Sequence, residues 1–230
     1  MHINLGFSNV EKILHVADVH IRNYKRHKEY RQVFRKLYKA AKALPENSII
    51  YLAGDIVHTK TDISPELVSI VSEFFNKLAN IRPTVVIAGN HDANLNNPSR
   101  LDALTPIVEN LNNDNLYYLR DSGIYTFADV DFIVYSILEE SSTWPNPKQS
   151  SSKNKIGLFH GAVNNSKTDA GYTVRDENLP LKTFDGCHMV MLGDIHKYQY
   201  LNSNETTAYA GSLIQQNFGE TFEDHGYVIW

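Results

Sequence analysis

The sequence predicts an α/β protein in which strand–helix units give way, past the middle of the chain, to antiparallel strands. Three observations carry this expectation. The short β-branched runs Ile13–Ala17, Ile49–Ala53 and Val85–Ala88 have the length and composition of buried strands. Between them, apolar residues recur at helical spacing: Val33, Leu37, Ala40, Ala41 and Leu44, then Leu67, Ile70, Val71, Phe74, Phe75 and Leu78. Each apolar run also passes directly into polar residues able to ligate metal, and strand ends are where open α/β sheets place their chemistry.

Composition sets wider bounds. With 230 residues, 42% of them hydrophobic and 21% charged, the chain has an ordinary globular balance and enough length for a full core. Its apolar runs fall far short of a membrane span, and the N-terminus lacks a charged-then-apolar leader. An intracellular, soluble protein is therefore expected. The single cysteine, Cys187, excludes an internal disulfide and, beside Met189, Val190 and Met191, reads as a small buried hydrophobe. A net charge of −4 argues against broad adhesion to nucleic acid and leaves a local basic face open.

In chain order, Ile13–Ala17 leads into Asp18-Val19-His20, which places a carboxylate and an imidazole on one side of an extended backbone. Basic residues then crowd from Arg22 to Lys42 against one acid, Glu29. They read either as the solvated face of an amphipathic helix or as a patch that tracks phosphates. Ile49–Ala53 runs into Gly54-Asp55, with His58 just beyond. Ser64-Pro65 opens the second helix, whose broad apolar face leaves room for a dimer contact. Val85–Ala88 ends in Gly89-Asn90-His91-Asp92. A short helix is expected over 99–110, with Asn97-Pro98 as its lead-in. Leu116–Leu119, Ile124–Phe127 and Phe132–Ile137 read as strands, and the proline- and serine-rich 141–154 stretch as a flexible connection. Ile156–Phe159 ends in His160-Gly161, and His188–Leu192 in Gly193-Asp194-Ile195-His196. Tyr209–Ser212 follows. Gly226–Trp230 is a final apolar strand without a closing turn, which predicts that a longer protein continues beyond it.

Collected, Asp18, His20, Asp55, Asn90, His160, Asp194 and His196 offer seven oxygen or nitrogen ligands. Seven is too many for one tetrahedral ion and suits two ions that share a carboxylate. Such a pair clamps the attacking and leaving oxygens of phosphoryl transfer and makes hydroxide available near neutral pH. Carboxylate, amide and imidazole without thiolate suit manganese, iron or zinc.

The order D-x-H, G-D-x-x-H, G-N-H-D, H-G and G-D-x-H resembles the calcineurin-like metallophosphoesterase superfamily, from Ile13 to Trp230. Within it, His58 and the Tyr209–Gly219 stretch, Y-A-G-S-L-I-Q-Q-N-F-G, look like SbcD-type DNA repair nucleases. The resemblance implies a two-sheet αββα sandwich, with residues 1–230 forming the catalytic domain and the capping and ATPase-docking regions absent. It implies Asp18, His20 and His196 on one metal, Asn90, His160 and Asp194 on the other, and Asp55 bridging. It also implies His91 as the acid near the leaving oxygen, Asp92 orienting its ring, and His58 positioning the phosphate. Arg22, Lys25, Arg26, Lys28, Tyr209 and Ser212 are the expected substrate contacts. The implied cofactors are two divalent ions, manganese first, with magnesium, iron or zinc as alternatives. The implied partners are DNA, an SMC-like ATPase of the SbcC type and a second copy of the chain, without a membrane, in the cytoplasm or nucleoid. The implied activity is exonuclease action on double-stranded ends and endonuclease action on single-stranded or hairpin DNA. One position departs from the pattern. The family usually has histidine where this chain has Asp194, which implies a shift of metal preference towards manganese or magnesium. Two other readings stand beside this one: a phosphatase or phosphodiesterase for another substrate, and a non-catalytic binding scaffold.

Overall fold

The computed structural model describes residues 1–97 and 99–230. The first half is built of strand–helix units. Strand β1 (His2–Ile3) and strand β2 (Lys12–Val16) precede helix α1 (His27–Ala43), then strand β3 (Ser48–Leu52) and helix α2 (Pro65–Ala79). Strand β4 (Thr84–Val86), helix α3 (Thr105–Leu111) and strand β5 (Leu116–Tyr118) follow. The second half holds β6 (Gly123–Phe127), β7 (Val130–Tyr135), β8 (Asn154–His160), β9 (Met189–Gly193), β10 (Gln199–Tyr200), β11 (Thr207–Tyr209) and β12 (Val228–Ile229).

These strands form two sheets, one in the order β12-β2-β3-β4-β5 and the other β1-β6-β7-β8-β9-β11-β10. Residue alternation in β2 and β3 explains how they pack. Leu14, Val16, Ile50 and Leu52 meet Phe34, Leu37, Ile70 and Phe74 of α1 and α2 on the outer face. Ile13, Ile49 and Tyr51 turn the other way, onto Phe127, Phe132, Ile156 and Met191 between the sheets. Strands buried on both faces read as near-continuous apolar runs, which is why these segments stand out in the sequence. The outer face of the seven-stranded sheet is covered by Phe184, Trp144 and Val163 from 3-10 turns and loops. The result is a two-sheet α/β sandwich.

Four expectations need correction. Past the middle of the chain the pairing stays largely parallel: β5 joins β4, and β7, β8 and β9 run parallel to one another, with β6–β7 as an antiparallel hairpin. Alternation marks a strand but not the direction of its partner. The expected helix over 99–110 begins at Thr105, because the Asp102 carboxylate accepts from Leu104 N and Thr105 N and Pro106 sits in the first turn. Pro98, in its expected lead-in, lies outside the described residues. The first helix starts at His27, so Arg22, Lys25 and Arg26 lie on the loop before it. The 141–154 connection is packed down: the Trp144 indole donates to Ser136 O at 3.0 Å and stacks edge-on against Tyr135 and Phe159.

Among the described residues, no helix is long and apolar enough to cross a membrane.

Candidate metal centre

The parallel strands β2, β3, β4, β8 and β9 all point their C-terminal ends to one edge of the sandwich. The turns that leave them interlock. Asp18 N donates to Gly54 O, His20 N to Asp55 O, and Ala53 N to Val16 O. The two sheets join here as well, because Asp194 N donates to the Asp18 carboxylate at 3.1 Å. Glycine is required at two of these turns. A Cβ on Gly54, at φ +83°, would stand 2.6 Å from His160 Nδ1, and one on Gly89 would stand 2.1 Å from Asp55 Oδ1. Four of the collected ligands are themselves in the left-handed region: Asp18 at φ 51°, His20 at 48°, Asp55 at 51° and Asp194 at 99°. Such backbone costs about 1–3 kcal/mol per residue and persists where the surroundings over-determine it.

All seven expected ligands come together. His20 Nε2 lies 3.0 Å from His196 Nε2 and 3.4 Å from Asp55 Oδ2. His160 Nε2 lies 3.3 Å from Asp55 Oδ1, 3.1 Å from Asn90 Oδ1 and 3.8 Å from Asp194 Oδ1. Asp55 thus turns one carboxylate oxygen towards each histidine group, the geometry a shared ligand needs. Asp18, His20 and His196 place donor atoms within 4.8 Å of one another, and so do Asp18, Asp55 and His160. Asp18 therefore reaches both groups.

The chemistry of these atoms fits divalent cations. His160 Nδ1 donates to Ala53 O at 2.7 Å, which leaves the Nε2 lone pair for the cluster. The Asn90 amide oxygen faces His160 Nε2 and the Asp55 carboxylate, all acceptors. Turning the amide over would let its nitrogen donate to the same atoms at 3.1–3.2 Å, but a cation among them satisfies the oxygen-inward arrangement as it stands. Burial pushes the Asp18 carboxyl up to about 7 and raises Asp194 in the same sense, an energy cost that a bound cation relieves. Burial works to raise Asp55 too, but the charge and hydrogen bond of His160, with His20 and His91, hold it well below the usual carboxylate range. Burial drives His20 well below its ordinary value.

His91 stands beside the cluster, its ring edge-on to His20 at a centroid distance of 4.7 Å. Its Nδ1 bonds His58 O at 2.6 Å, so Nε2 is left for chemistry. The expected orienting partner needs correction. The Asp92 carboxylate is fully buried and accepts from Gly89 N, Val57 N and Ile56 N, bracing two ligand turns instead of the His91 ring. Burial and the neighbouring Asp55 push it up to about 7 against the pull of those N–H groups. His58 Nε2 lies 3.1 Å from the Arg22 guanidinium and can only accept from it. Burial and Arg22 both lower the His58 pKa. Donor atoms of His20, His58 and His91 also fall within 4.8 Å of one another, yet the Arg22 charge makes that corner suited to an anion.

The remaining expected contacts divide. Arg22 also donates to Gln216 O, and Arg26 to Gln215 O and the Glu29 carboxylate, so both are drawn onto the 215–216 turn. Lys25 and Lys28 are exposed and make no ion pair among the described residues. Tyr209 and Ser212 are fully buried and cannot meet substrate. The Tyr209 hydroxyl donates to Gly161 O and accepts from Val163 N, securing the loop after His160, and Ser212 Oγ pairs with His225. Two contributors went unread in the sequence: Lys60, which donates to Asn90 O at 2.7 Å, and Tyr30, whose hydroxyl donates to His20 O.

Strand-end carboxylates and imidazoles around a shared aspartate, on a two-sheet α/β sandwich, define a metal-dependent phosphoesterase. Residues 11–198 match the calcineurin-like phosphoesterase family, and the chain belongs to it. The family binds divalent metals and hydrolyses phosphoesters. The chain is 46% identical to an uncharacterised protein of Acanthamoeba polyphaga mimivirus, over 97% of its own length and 17% of that protein. It is 24% identical to the SbcD component of the SbcCD nuclease of Staphylococcus epidermidis and 26% identical to that of Staphylococcus saprophyticus, each over 95% of this chain and 65% of the relative. The chain thus spans less than two thirds of the length of each of these relatives.

Proposed function

We propose that this phosphoesterase is a DNA nuclease that hydrolyses phosphodiester bonds with two divalent ions, manganese foremost, and works beside an SMC-like ATPase of the SbcC type. The observation that carries the reading is Arg22. Its guanidinium lies against His58 at the rim of the cluster, and Lys25 and Lys28 continue the positive charge into solvent on the same loop and first helical turn. A phosphodiester entering there meets cations on both sides, and a polynucleotide offers further phosphates for the lysines. The two bacterial relatives named as nucleases support the substrate class and the ATPase partner. A second copy of the chain is a further proposed partner, with Ile63 and Val68, partly exposed at the start of α2, available for contact.

Asp18, His20, Asp55 and His196 would hold one ion, and Asn90, His160, Asp194 and Asp55 the other. Bound there, the ions supply Lewis acidity and a nucleophile at neutral pH. The chain's own groups do the rest. Asp55 keeps the two ligand groups at a fixed separation. Arg22 neutralises a non-bridging phosphate oxygen. His91, held by the His58 carbonyl, carries a proton at Nε2 for the departing oxygen. Asp194 adds a hard oxygen donor where the family usually has imidazole, which favours manganese or magnesium over zinc.

The test is hydrolysis with Mn²⁺ of linear double-stranded, single-stranded and circular DNA beside a generic phosphodiester, with His91→Ala as control. Cleavage of DNA that His91→Ala loses supports the proposal. Hydrolysis of the generic compound with every DNA intact would instead assign a phosphodiesterase of another substrate class.

A further inference from the structure

Glu220 lies outside the ligand motifs, 24 residues beyond His196. Its side chain is only 2% exposed, and a carboxylate buried that deeply needs hydrogen-bond donors. It has three. Oε1 accepts from His196 Nδ1 at 2.7 Å and from Asn217 Nδ2 at 2.7 Å, while Oε2 accepts from Gln216 N at 2.7 Å. The first of these bonds dictates the histidine's form. With the proton on Nδ1, the Nε2 lone pair of His196 points at His20 and the cluster. The third bond reaches the opposite rim, because the carbonyls of Gln215 and Gln216 receive Arg26 at 2.6 Å and Arg22 at 3.0 Å. The ligand histidines differ here. His160 Nδ1 is held by a main-chain carbonyl, and His20 Nδ1 has no partner among the described residues. Only His196 is held by a carboxylate.

We propose that Glu220 is a positioning residue that fixes the tautomer and orientation of His196 for metal binding and, through the Gln216 main chain, holds Arg22 against His58. The inference rests on the metal-centre reading above. A carboxylate behind a metal-bound imidazole orients the ring and raises its basicity, and loss of such a partner typically costs about 10–100-fold in metal affinity. Aspartate at position 220 would be too short to bridge His196 and Gln216 together.

The test compares the full chain with Glu220→Ala and Glu220→Gln in three measurements: Mn²⁺ affinity from the EPR signal of free ion, the His196 tautomer from ¹⁵N shifts of metal-free protein, and the melting temperature. The wild type should show one tautomer, protonated at Nδ1. Glu220→Ala should mix the tautomers and weaken one Mn²⁺ site by about 10–100-fold. Glu220→Gln, which keeps an oxygen acceptor but not the charge, should retain the tautomer with an intermediate loss of affinity. A fall in melting temperature with tautomer and affinity unchanged would reduce Glu220 to a brace of its turn and overturn the proposal. If Glu220→Ala does not fold, wild-type affinity in Glu220→Gln overturns it equally. Absence of Mn²⁺ binding by the wild type would sink the metal-centre reading instead, and the His196 tautomer would still decide whether Glu220 positions the ring.

Discussion

At the floor of the site, Asp18, His20, Asp55 and His160 are buried on interlocked turns, three of them in left-handed backbone. At the rim, Lys25 and Lys28 stand in solvent, and Arg22 and Arg26 spend their donors on neighbouring carbonyls. The floor is over-determined, with each ligand held by main-chain bonds from two or more strands. The rim is adjustable, because exposed lysines lose little when one is removed. Substitutions should therefore act as near switches at the floor and as graded changes at the rim.

Asp55→Asn is the largest expected effect. Its two oxygens face His20 and His160 separately, so the loss of charge weakens both ligand groups. Hydrolysis should fall to background in a phosphodiester assay, with metal content reduced at both positions. Retained turnover with full metal would break the contrast between floor and rim. His91→Ala should cost about 10²–10⁴-fold in turnover, the usual range for general acid–base help, while metal stoichiometry holds. Loss of metal along with activity would move His91 into the ligand set.

A third prediction sharpens the comparison beneath the floor. His15 is fully buried in β2, stacked on Tyr51, and its Nε2 has no partner among the described residues. Burial lowers its pKa to about 3, so the folded protein keeps it neutral while the unfolded chain takes up a proton below about 6.5. Its contribution to stability is full above pH 6.5 and is lost as pH falls towards 3. Unfolding free energy measured from pH 4 to 6.5 should rise with pH by one proton less in His15→Leu than in the wild type. Equal slopes would show that His15 is protonated in the folded state.

The smallest expected effect is at the rim. Lys25→Ala with Lys28→Ala should leave cleavage of a small phosphodiester unchanged and reduce the salt slope of DNA binding by about 0.7–0.9 per lost contact. An unchanged slope would make these lysines a solvated face.

The same contrast decides what is legible in the sequence. Floor residues announce themselves because an apolar strand must stop where a glycine and a short polar side chain begin, and that grammar repeats at five strand ends. The two-sheet sandwich follows from the same runs. Less is legible where a side chain chooses among distant partners. Asp92 follows His91 in sequence, yet three main-chain N–H groups outcompete the ring for its carboxylate. Tyr209 and Ser212 belong to a motif that suggested substrate, but β11 is an interior strand between β9 and β10, which buries Tyr209, and Ser212 just beyond it is buried as well. Glu220 carries no local signal, since its bond to His196 depends on how the 215–220 turn folds back.

The central claim is that Asp55 joins two ligand groups into one two-ion site. EPR of the chain titrated with Mn²⁺ tests it most directly. Two ions per chain about 3.5–4 Å apart should give an exchange-coupled signal that Asp55→Asn abolishes. A single uncoupled ion per chain, unaltered by that substitution, would contradict the account.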